Sequence, residues 1–274
     1  MTIFQSVLLG IVQGLTEFLP VSSSGHLVII PYLLGWDIPP AEAFVYDVLI
    51  QVATLVAVIV YFWKDLLGIA KALIAGIMKR NLFEDPQSRL GIYVLLATIP
   101  AGLIGLLIKP LVEMAFDSPQ ATAVCLLVTA GLLIIAERAG KRSRSLSEIN
   151  SIDVLWIGLF QALAIFPGVS RSGSTITAGM LRNLEREPAA RFSFLMSIPI
   201  MLAAGGLALF DLQDVSDFRH TLWVLLPGFI VAGVVGYFSI RWLLKYLTQH
   251  SFYVFAIYCI FLSALTLTVS FIRG

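Results

Sequence analysis

The sequence predicts an all-α polytopic membrane protein, with six transmembrane helices and two re-entrant helical hairpins arranged as an inverted-topology repeat. Three observations predict this fold: the composition, six long apolar runs, and two similar stretches in which an apolar run is interrupted. Of the 274 residues, 58% are hydrophobic and 13% are charged, and the mean hydropathy is +0.92. Soluble domains carry roughly 25% charged residues. A soluble fold would therefore have no place for this excess of apolar side chains.

Composition also limits the function. The net charge is +1, which gives no basic surface for nucleic acid. Cys125 and Cys259 both lie inside long apolar runs, so they are interpreted as packing residues rather than a disulfide or a metal pair. The N-terminal apolar stretch has no Lys or Arg before it and no small-residue cleavage site. It is therefore expected to belong to the fold rather than to a removed signal peptide.

Apolar run length predicts the crossings. Six runs are long enough to span about 30 Å of hydrocarbon as helices. Two further stretches, 3–36 and 152–181, are each interrupted by a proline and a Ser/Gly-rich turn, at residues 20–25 and 167–173. Because helices normally end before proline, each stretch is predicted to form two short helices that meet at a polar turn. The six predicted crossings are approximately 44–62, 91–110, 119–137, 192–210, 221–240 and 252–272.

Loop charge predicts the orientation. Lys and Arg concentrate in cytoplasmic loops, and six crossings place all the basic connections on one side and all the acidic ones on the other. The first interrupted stretch then begins and ends outside, and the second begins and ends inside, so the two hairpins enter from opposite faces. The basic connections contain Lys64, Lys71, Lys79, Arg80, Arg89, Arg138, Lys141, Arg142, Arg144, Arg182, Arg186, Arg191, Arg241 and Lys245, and the acidic ones contain Asp37, Glu42, Glu113, Asp117, Asp211, Asp214 and Asp217.

An internal repeat supports this arrangement. Residues 10–25 align with residues 158–173, and residues 99–105 resemble residues 226–233. The chain is thus predicted to be a single integral membrane domain, 1–274, with halves at about 1–140 and 150–274. Each half contains one hairpin and three crossings, and an odd number of crossings inverts the second copy. Inverted repeats with broken helices place a site near the middle of the bilayer, where the repeats meet.

Gln13 and Glu17 are the first candidate site residues. They are four residues apart and so share one helix face. An ionisable side chain inside a membrane helix is costly and indicates function. The alternative is a glutamate that reaches the membrane interface. The position of Glu17 directly before the turn, beside Gln13, favours the functional interpretation.

The first turn contains Ser22, Ser23 and Ser24, followed by His26, which is expected to open the next short helix. Hydroxyl groups at a helix N-terminus are suited to binding an anion such as phosphate. Imidazole can transfer protons near neutral pH or act as a nucleophile. A lone buried histidine is often structural, but this one follows a polar turn inside the membrane, which favours a catalytic role.

The second turn contains Ser170, Arg171, Ser172 and Thr175. A guanidinium recognises phosphate oxygens with two parallel hydrogen bonds. At membrane depth it needs a counter-ion, which Glu17 is expected to supply when no phosphate is bound. The alternative interpretation is a purely structural Arg171–Glu17 pair.

Three residues form a second tier of candidates. Asp47 and Gln51 are four residues apart on the first predicted crossing and are expected either to line the entrance of the cavity or to form a solvated helix end. Gln161 aligns with Gln13 in the repeat.

The motif of Gln13, Glu17 and residues 20–26, followed by the motif at 167–175, resembles the undecaprenyl-pyrophosphate phosphatase (bacitracin-resistance) family. The resemblance extends over essentially the whole chain. Some members of that family have glutamate at the first motif position. Gln13 is therefore a weaker candidate for binding metal or moving protons than a glutamate would be.

The resemblance implies a hydrolase of the bacterial inner membrane that removes one phosphate from undecaprenyl pyrophosphate. This activity recycles the lipid carrier for peptidoglycan and other envelope polymers and confers bacitracin resistance. The resemblance also implies a divalent cation, Mg²⁺ or Ca²⁺, held by Glu17 and, more weakly, by Gln13. Its other implications are a polyprenyl pyrophosphate as substrate and a homodimer.

The chemical step has three possible forms at this point. Ser23 attacks the terminal phosphorus, His26 attacks it, or one of them activates a water. The phosphate would be neutralised by Arg171 and the turn hydroxyls. A competing class is a transporter or flippase of a lipid phosphate or anion, since inverted repeats with broken helices are typical of secondary transporters. Phosphate release in detergent, where no gradient exists, distinguishes an enzyme from a transporter.

Overall fold

The fold is all-helical, as predicted. The computed structural model describes residues 1–108, 118–211 and 218–273, and these form eleven α-helices, one 3₁₀ turn at Leu146–Glu148 and a single isolated β-bridge between Arg144 and Leu184. The helices are α1 Ile3–Thr16, α2 Ser23–Leu34, α3 Pro40–Tyr61, α4 Trp63–Met78, α5 Pro86–Leu107, α6 Pro119–Ala139, α7 Ser151–Leu163, α8 Arg171–Leu181, α9 Arg186–Asp211, α10 Phe218–Leu247 and α11 Tyr253–Arg273.

Five of the described helices are long and apolar enough to cross a membrane: α5, α6, α9, α10 and α11. A sixth candidate is the bent pair of Val45–Tyr61 and Trp63–Met78. The chain is therefore a multi-pass membrane protein with five or six candidate spans in its described part. Four residues of the predicted acidic connections, Glu113, Asp117, Asp214 and Asp217, and the end of the predicted run 91–110 lie outside the described residues.

Helix α4 differs from the sequence-based expectation, which treated this segment as a basic connection. It is bent by 75° from α3. Buried Ile69 packs in the main core with partly buried Leu73, while Trp63, Leu67 and Ile74 are exposed. The basic residues in this segment obscured its helical periodicity. An exposed apolar stripe beside lysines is typical of a helix lying at a membrane interface.

Each interrupted stretch forms two short helices joined by a polar turn. Helices α1 and α2 meet at residues 17–22, and α7 and α8 meet at residues 164–170. Helix α2 begins at Ser23, three residues before His26, where the sequence-based expectation placed its start. Ser22 caps the helix with a left-handed φ of 69°, and its hydroxyl accepts a hydrogen bond from the Gly25 N–H at 3.2 Å. This capping bond stabilises the earlier helix start and places Ser23 in the first turn.

The first helix of each hairpin packs closely against a helix from the other half of the sequence. Helix α1 lies along α10, where a Cβ on Gly10 would stand 2.4 Å from the Gly228 carbonyl oxygen. Helix α7 lies along α5, where a Cβ on Gly158 would stand 2.6 Å from the Ala97 oxygen. Gly10 and Gly158 occupy aligned positions in the predicted repeat. Glycine is required at both because the two backbones touch.

Candidate active site

The two polar turns meet inside the helix bundle. A Cβ on Gly25 would lie 3.1 Å from the Cα of Gly168, so the two turns are in backbone contact. Gly168 has a φ of +92°, a conformation available mainly to glycine. Thr129 of α6 fixes this second turn, since its hydroxyl donates to the Gly168 oxygen and accepts from the Ser170 N–H, both at 2.9 Å.

Glu17 is at the centre of the polar contacts between the turns. Its Oε2 accepts hydrogen bonds from Ser23 Oγ at 2.6 Å and from Gln13 Nε2 at 2.8 Å. Its Oε1 accepts a hydrogen bond from Arg171 Nη2 at 2.8 Å. One carboxylate thus joins α1, the first turn of α2 and the first turn of α8. The structure brings together four of the predicted site residues: Gln13, Glu17, Ser23 and Arg171.

Arg171 is largely enclosed, with 17% of its side chain exposed. The pairing with Glu17 that was expected from the sequence is present. It uses only Nη2, and the buried Nη1 has no hydrogen-bond partner among the described residues. A buried guanidinium nitrogen without a partner is costly. Nη1 is therefore available to an anion that enters between the turns.

Gln13 is fully buried and also has spare hydrogen-bonding capacity. Its Nε2 donates to Glu17, with a longer contact of 3.5 Å to Thr54 Oγ1 of α3. Its Oε1 has no partner among the described residues. An unpaired amide oxygen next to a carboxylate is a possible cation ligand.

His26 makes a separate pair of contacts one helical turn after Ser23. Its Nδ1 lies 2.7 Å from the Ser22 carbonyl oxygen, and its Nε2 lies 2.7 Å from the Tyr258 hydroxyl of α11. The imidazole is buried. Tyr258 could not be predicted as a partner of His26, because a tyrosine in an apolar helix is also typical of a membrane interface.

The other serine and threonine hydroxyls of the turns are mainly used inside the fold. Ser170 Oγ caps α8 by accepting from the Gly173 N–H at 3.0 Å, and Ser172 Oγ donates to the Leu19 oxygen at 3.2 Å. Thr175 Oγ1 donates to the Arg171 oxygen at 2.8 Å. Ser22 Oγ and Ser24 Oγ lie 3.4 Å apart. These contacts hold the two turns in shape.

The second-tier candidates lie away from this cluster. The side chains of Asp47 and Gln51 make no hydrogen bond to Glu17 or Arg171 in the described part of the chain, and Gln51 is exposed. The α3 residue that approaches Gln13 is Thr54 instead. Gln161 is buried against α5, with Nε2 3.5 Å from the Ala97 oxygen.

Two further buried carboxylates were not predicted. Glu137 accepts hydrogen bonds from Arg142, Arg186 and the Phe252 N–H, and Asp153 binds Arg144 and Arg182. The sequence indicated the four arginines only as loop charges. Hydrogen bonding to Asp153 raises the pKa of Arg144, which keeps this pair ionised. Since each carboxylate is matched by two arginines, these clusters join helix ends rather than form a site.

The donors fit a cation only in one way. Among the described residues, no group of three or more His, Cys, Asp or Glu side chains could hold a metal ion. The available oxygens are those of Glu17, the Gln13 amide and Ser23. Mg²⁺ commonly uses one or two carboxylates together with the phosphates of its substrate. This site therefore fits a cation that arrives with a phosphate, not one held by the protein alone.

Residues 6–265 match the family model described as bacitracin resistance protein BacA. This chain belongs to the BacA family. The BacA-family relatives include three proteins named undecaprenyl-diphosphatase. That of Chlorobaculum tepidum is 42% identical over 94% of this chain and 93% of its own length. That of Chloroherpeton thalassium is 43% identical over 98% and 97% of the two chains. That of Thermomicrobium roseum is 41% identical over the full length of both.

Membership of the BacA family agrees with the site geometry. Both motifs that predicted the family, around Glu17 and around Arg171, lie within the matched residues. The structure brings these motifs into direct contact although they are distant in the sequence.

Proposed function

We propose that this protein is a membrane phosphatase that hydrolyses undecaprenyl pyrophosphate to undecaprenyl phosphate and inorganic phosphate. The observation that carries the proposal is the single carboxylate of Glu17, which accepts a hydrogen bond from the Ser23 hydroxyl and pairs with the Arg171 guanidinium. Ser23 provides a hydroxyl, Glu17 a base and Arg171 a positive charge that binds phosphate, and phosphoryl transfer uses these three kinds of group. The choice of the lipid substrate is based on the relatives named undecaprenyl-diphosphatase.

Binding would replace one interaction of Arg171 with another. The terminal phosphate enters between the turns and hydrogen-bonds to the unpartnered Nη1. Its oxygens then compete with Glu17 Oε1 for Nη2. The remaining hydroxyl residues of the two turns would bind the terminal phosphate or hold the turns in shape around it. These residues are Ser22, Ser24, Ser170, Ser172 and Thr175. The polyprenyl tail leaves between helices into lipid.

The chemical step follows from the contact between Ser23 and Glu17. Ser23 Oγ attacks the terminal phosphorus, and its proton passes to Glu17 Oε2, 2.6 Å away. The bridging P–O bond breaks, and undecaprenyl phosphate leaves with its bridging oxygen. A water then hydrolyses the phosphoserine and releases phosphate.

His26 has a different place in this scheme. Its two ring nitrogens are already hydrogen-bonded, to Ser22 and to Tyr258. Ser23 is thus favoured over His26 as the nucleophile. We assign His26 to proton transfer in the second half of the reaction.

A divalent cation, Mg²⁺ or Ca²⁺, would be held by Glu17 and Gln13 together with the substrate phosphates. When bound, it would neutralise negative charge on the pyrophosphate. The unpartnered Gln13 Oε1 supports this assignment.

The membrane arrangement belongs to the same proposal. We infer six crossings and two re-entrant hairpins in an inverted repeat, in the bacterial inner membrane, with a homodimer as the assembly. Two packing contacts support the repeat: α1 against α10, and α7 against α5. In each contact, the first helix of one hairpin packs against a helix from the other half of the chain, as expected for helices related by a pseudo-two-fold axis. In this location the enzyme would recycle the lipid carrier of envelope polymers and confer bacitracin resistance.

Phosphate release from undecaprenyl pyrophosphate by the purified protein in detergent tests the function. Turnover with Mg²⁺ or Ca²⁺, abolished in Ser23→Ala, is expected. A transporter would bind the lipid and release no phosphate, because it does not break the pyrophosphate bond. Trapping the phosphoenzyme and locating the modified side chain tests Ser23. Label on His26 would contradict the assigned nucleophile.

A further inference from the structure

The surroundings of His26 define its protonation pattern. The Ser22 carbonyl oxygen, 2.7 Å from Nδ1, can only accept a hydrogen bond. In neutral His26 the proton must therefore be on Nδ1. Nε2 then has a lone pair, which accepts a hydrogen bond from the Tyr258 hydroxyl at 2.7 Å.

The same two contacts fix the orientation of the ring. Rotation of the imidazole by 180° would put carbon atoms where the two nitrogens now meet oxygen, and both hydrogen bonds would be lost. The Tyr258 ring is nearly parallel to the imidazole, with an interplanar angle of 5° and centroids 5.6 Å apart. The hydroxyl thus meets Nε2 from a defined direction.

Helix α11 holds Tyr258 firmly beside α2. One residue later, buried Cys259 lies against the Pro20 oxygen of the first turn. Further along, Ser263 Oγ donates to the Ala123 oxygen of α6 at 2.6 Å. Tyr258 itself is 41% exposed, so its ring extends from the buried imidazole to the outer surface of the helix.

We propose that Tyr258 is a positioning residue for His26. It donates a hydrogen bond to Nε2 and fixes the ring for proton transfer beside Ser23. A phenol suits this role because its oxygen can donate to neutral His26 and accept from protonated His26. The ring can therefore change its protonation state without losing its partner.

The role in turnover rests on the proposed phosphatase activity, whereas the hydrogen bond from Tyr258 to Nε2 does not. The first measurement is NMR of the ¹⁵N-histidine-labelled full chain in detergent. The His26 signal is identified by its disappearance in His26→Gln. Wild type is expected to show a proton on Nδ1 and none on Nε2. Tyr258→Phe is expected to keep the proton on Nδ1, because the Ser22 oxygen still requires it, and to shift the Nε2 signal, because Nε2 has lost its hydrogen-bond donor.

The second measurement separates kcat from KM. Tyr258→Phe is expected to lower kcat by about tenfold, the equivalent of one hydrogen bond. KM should change little, since in the described part of the chain the Tyr258 hydroxyl bonds to His26 and to none of the residues assigned to phosphate. Tyr253→Phe is the matched control, since Tyr253 lies on the same helix and is 39% exposed. It should match wild type in both measurements.

An unchanged Nε2 signal together with wild-type kcat in Tyr258→Phe would overturn the proposal. Equal effects of Tyr258→Phe and Tyr253→Phe would also overturn it. If wild type released no phosphate but Tyr258→Phe still shifted the Nε2 signal, the phosphatase function would fail and the positioning of His26 would stand.

Discussion

Arg171 donates a hydrogen bond to Glu17 at 2.8 Å across 154 residues of sequence. Each charge would be costly to bury alone, and their pairing joins the turn of one hairpin to that of the other. Glu17 also accepts a hydrogen bond from Ser23. Its carboxylate therefore links the Arg171 guanidinium to the reactive hydroxyl. An entering phosphate would therefore act on the base and the nucleophile together.

Arg171→Ala is expected to lower the rate of phosphate release on the order of a hundredfold or more. Removal of a group that stabilises the charge of a transition state typically has an effect of this size. It also leaves the Glu17 carboxylate buried without its cation, which destabilises by about 3–5 kcal/mol. Activity per folded molecule and the Tm in detergent measure the two effects separately.

Glu137→Gln is the matched control for Arg171→Ala. It removes a buried carboxylate from a comparable ion cluster, with Arg142 and Arg186, outside the site. It should lower the Tm and leave turnover per folded molecule unchanged. Near wild-type turnover in Arg171→Ala would contradict the assigned role.

Ser23→Ala removes the hydroxyl that donates to Glu17. No phosphoenzyme should form, and kcat should fall by about three orders of magnitude or more, as for the loss of a covalent nucleophile. Ser239→Ala is the control, because the Ser239 hydroxyl is buried and, among the described residues, bonds only to the Val235 oxygen of its own helix. It should retain both activity and phosphoenzyme formation. A normal burst of phosphoenzyme in Ser23→Ala would show that a group other than Ser23 is the nucleophile.

Gln13→Glu places a second carboxylate beside Glu17. Added ligand charge strengthens cation binding, so half-maximal activity should need on the order of tenfold less Mg²⁺. Mg²⁺ together with a non-hydrolysable pyrophosphate lipid should also raise the Tm more than in wild type. Gln161→Glu alters the aligned residue of the other hairpin and should leave the cation requirement unchanged. A shared response in both variants would argue against a site at Gln13.

Gly10→Ala tests the close packing of α1 on α10. The new Cβ would lie 2.4 Å from the Gly228 oxygen, so the helices must separate, at a cost of about 1–3 kcal/mol. Gly131→Ala on α6 meets no atom of the described residues within 4 Å and should be neutral or stabilising by up to about 1 kcal/mol, since alanine favours helix. Thermal unfolding in detergent compares the two variants. An equal loss of Tm in both would contradict the packing argument.

Much of the architecture follows from the sequence because lipid imposes strong rules. Apolar length predicted the long helices, and Pro20 and Pro167 marked the interruptions. The contact between Glu17 and Arg171 was also predictable, because each buried charge requires a partner. The family followed from the same two motifs.

The remaining features depend on tertiary contacts that leave little local pattern. Tyr258 is one of several aromatic residues in apolar helices, and only the fold places it against His26. Helix α4 was missed because its lysines resemble loop charges. Helix α2 starts at Ser23 rather than His26 because Ser22 adopts a left-handed φ and caps it, which composition alone does not reveal. Asp47 and Gln51 have the spacing of Gln13 and Glu17, yet Thr54 is the α3 residue that approaches Gln13.

The packing of α1 on α10 has a consequence for biosynthesis. Gly10 is made early, but its partner Gly228 follows more than 200 residues later. At translation rates of 5–20 residues per second, α1 waits for roughly 10–45 s before α10 exists. During that interval the nascent hairpin has Glu17 in place while Arg171 has not been made or has only just been inserted. For that time the Glu17 carboxylate lies in a largely apolar segment without the guanidinium that pairs with it in the folded protein.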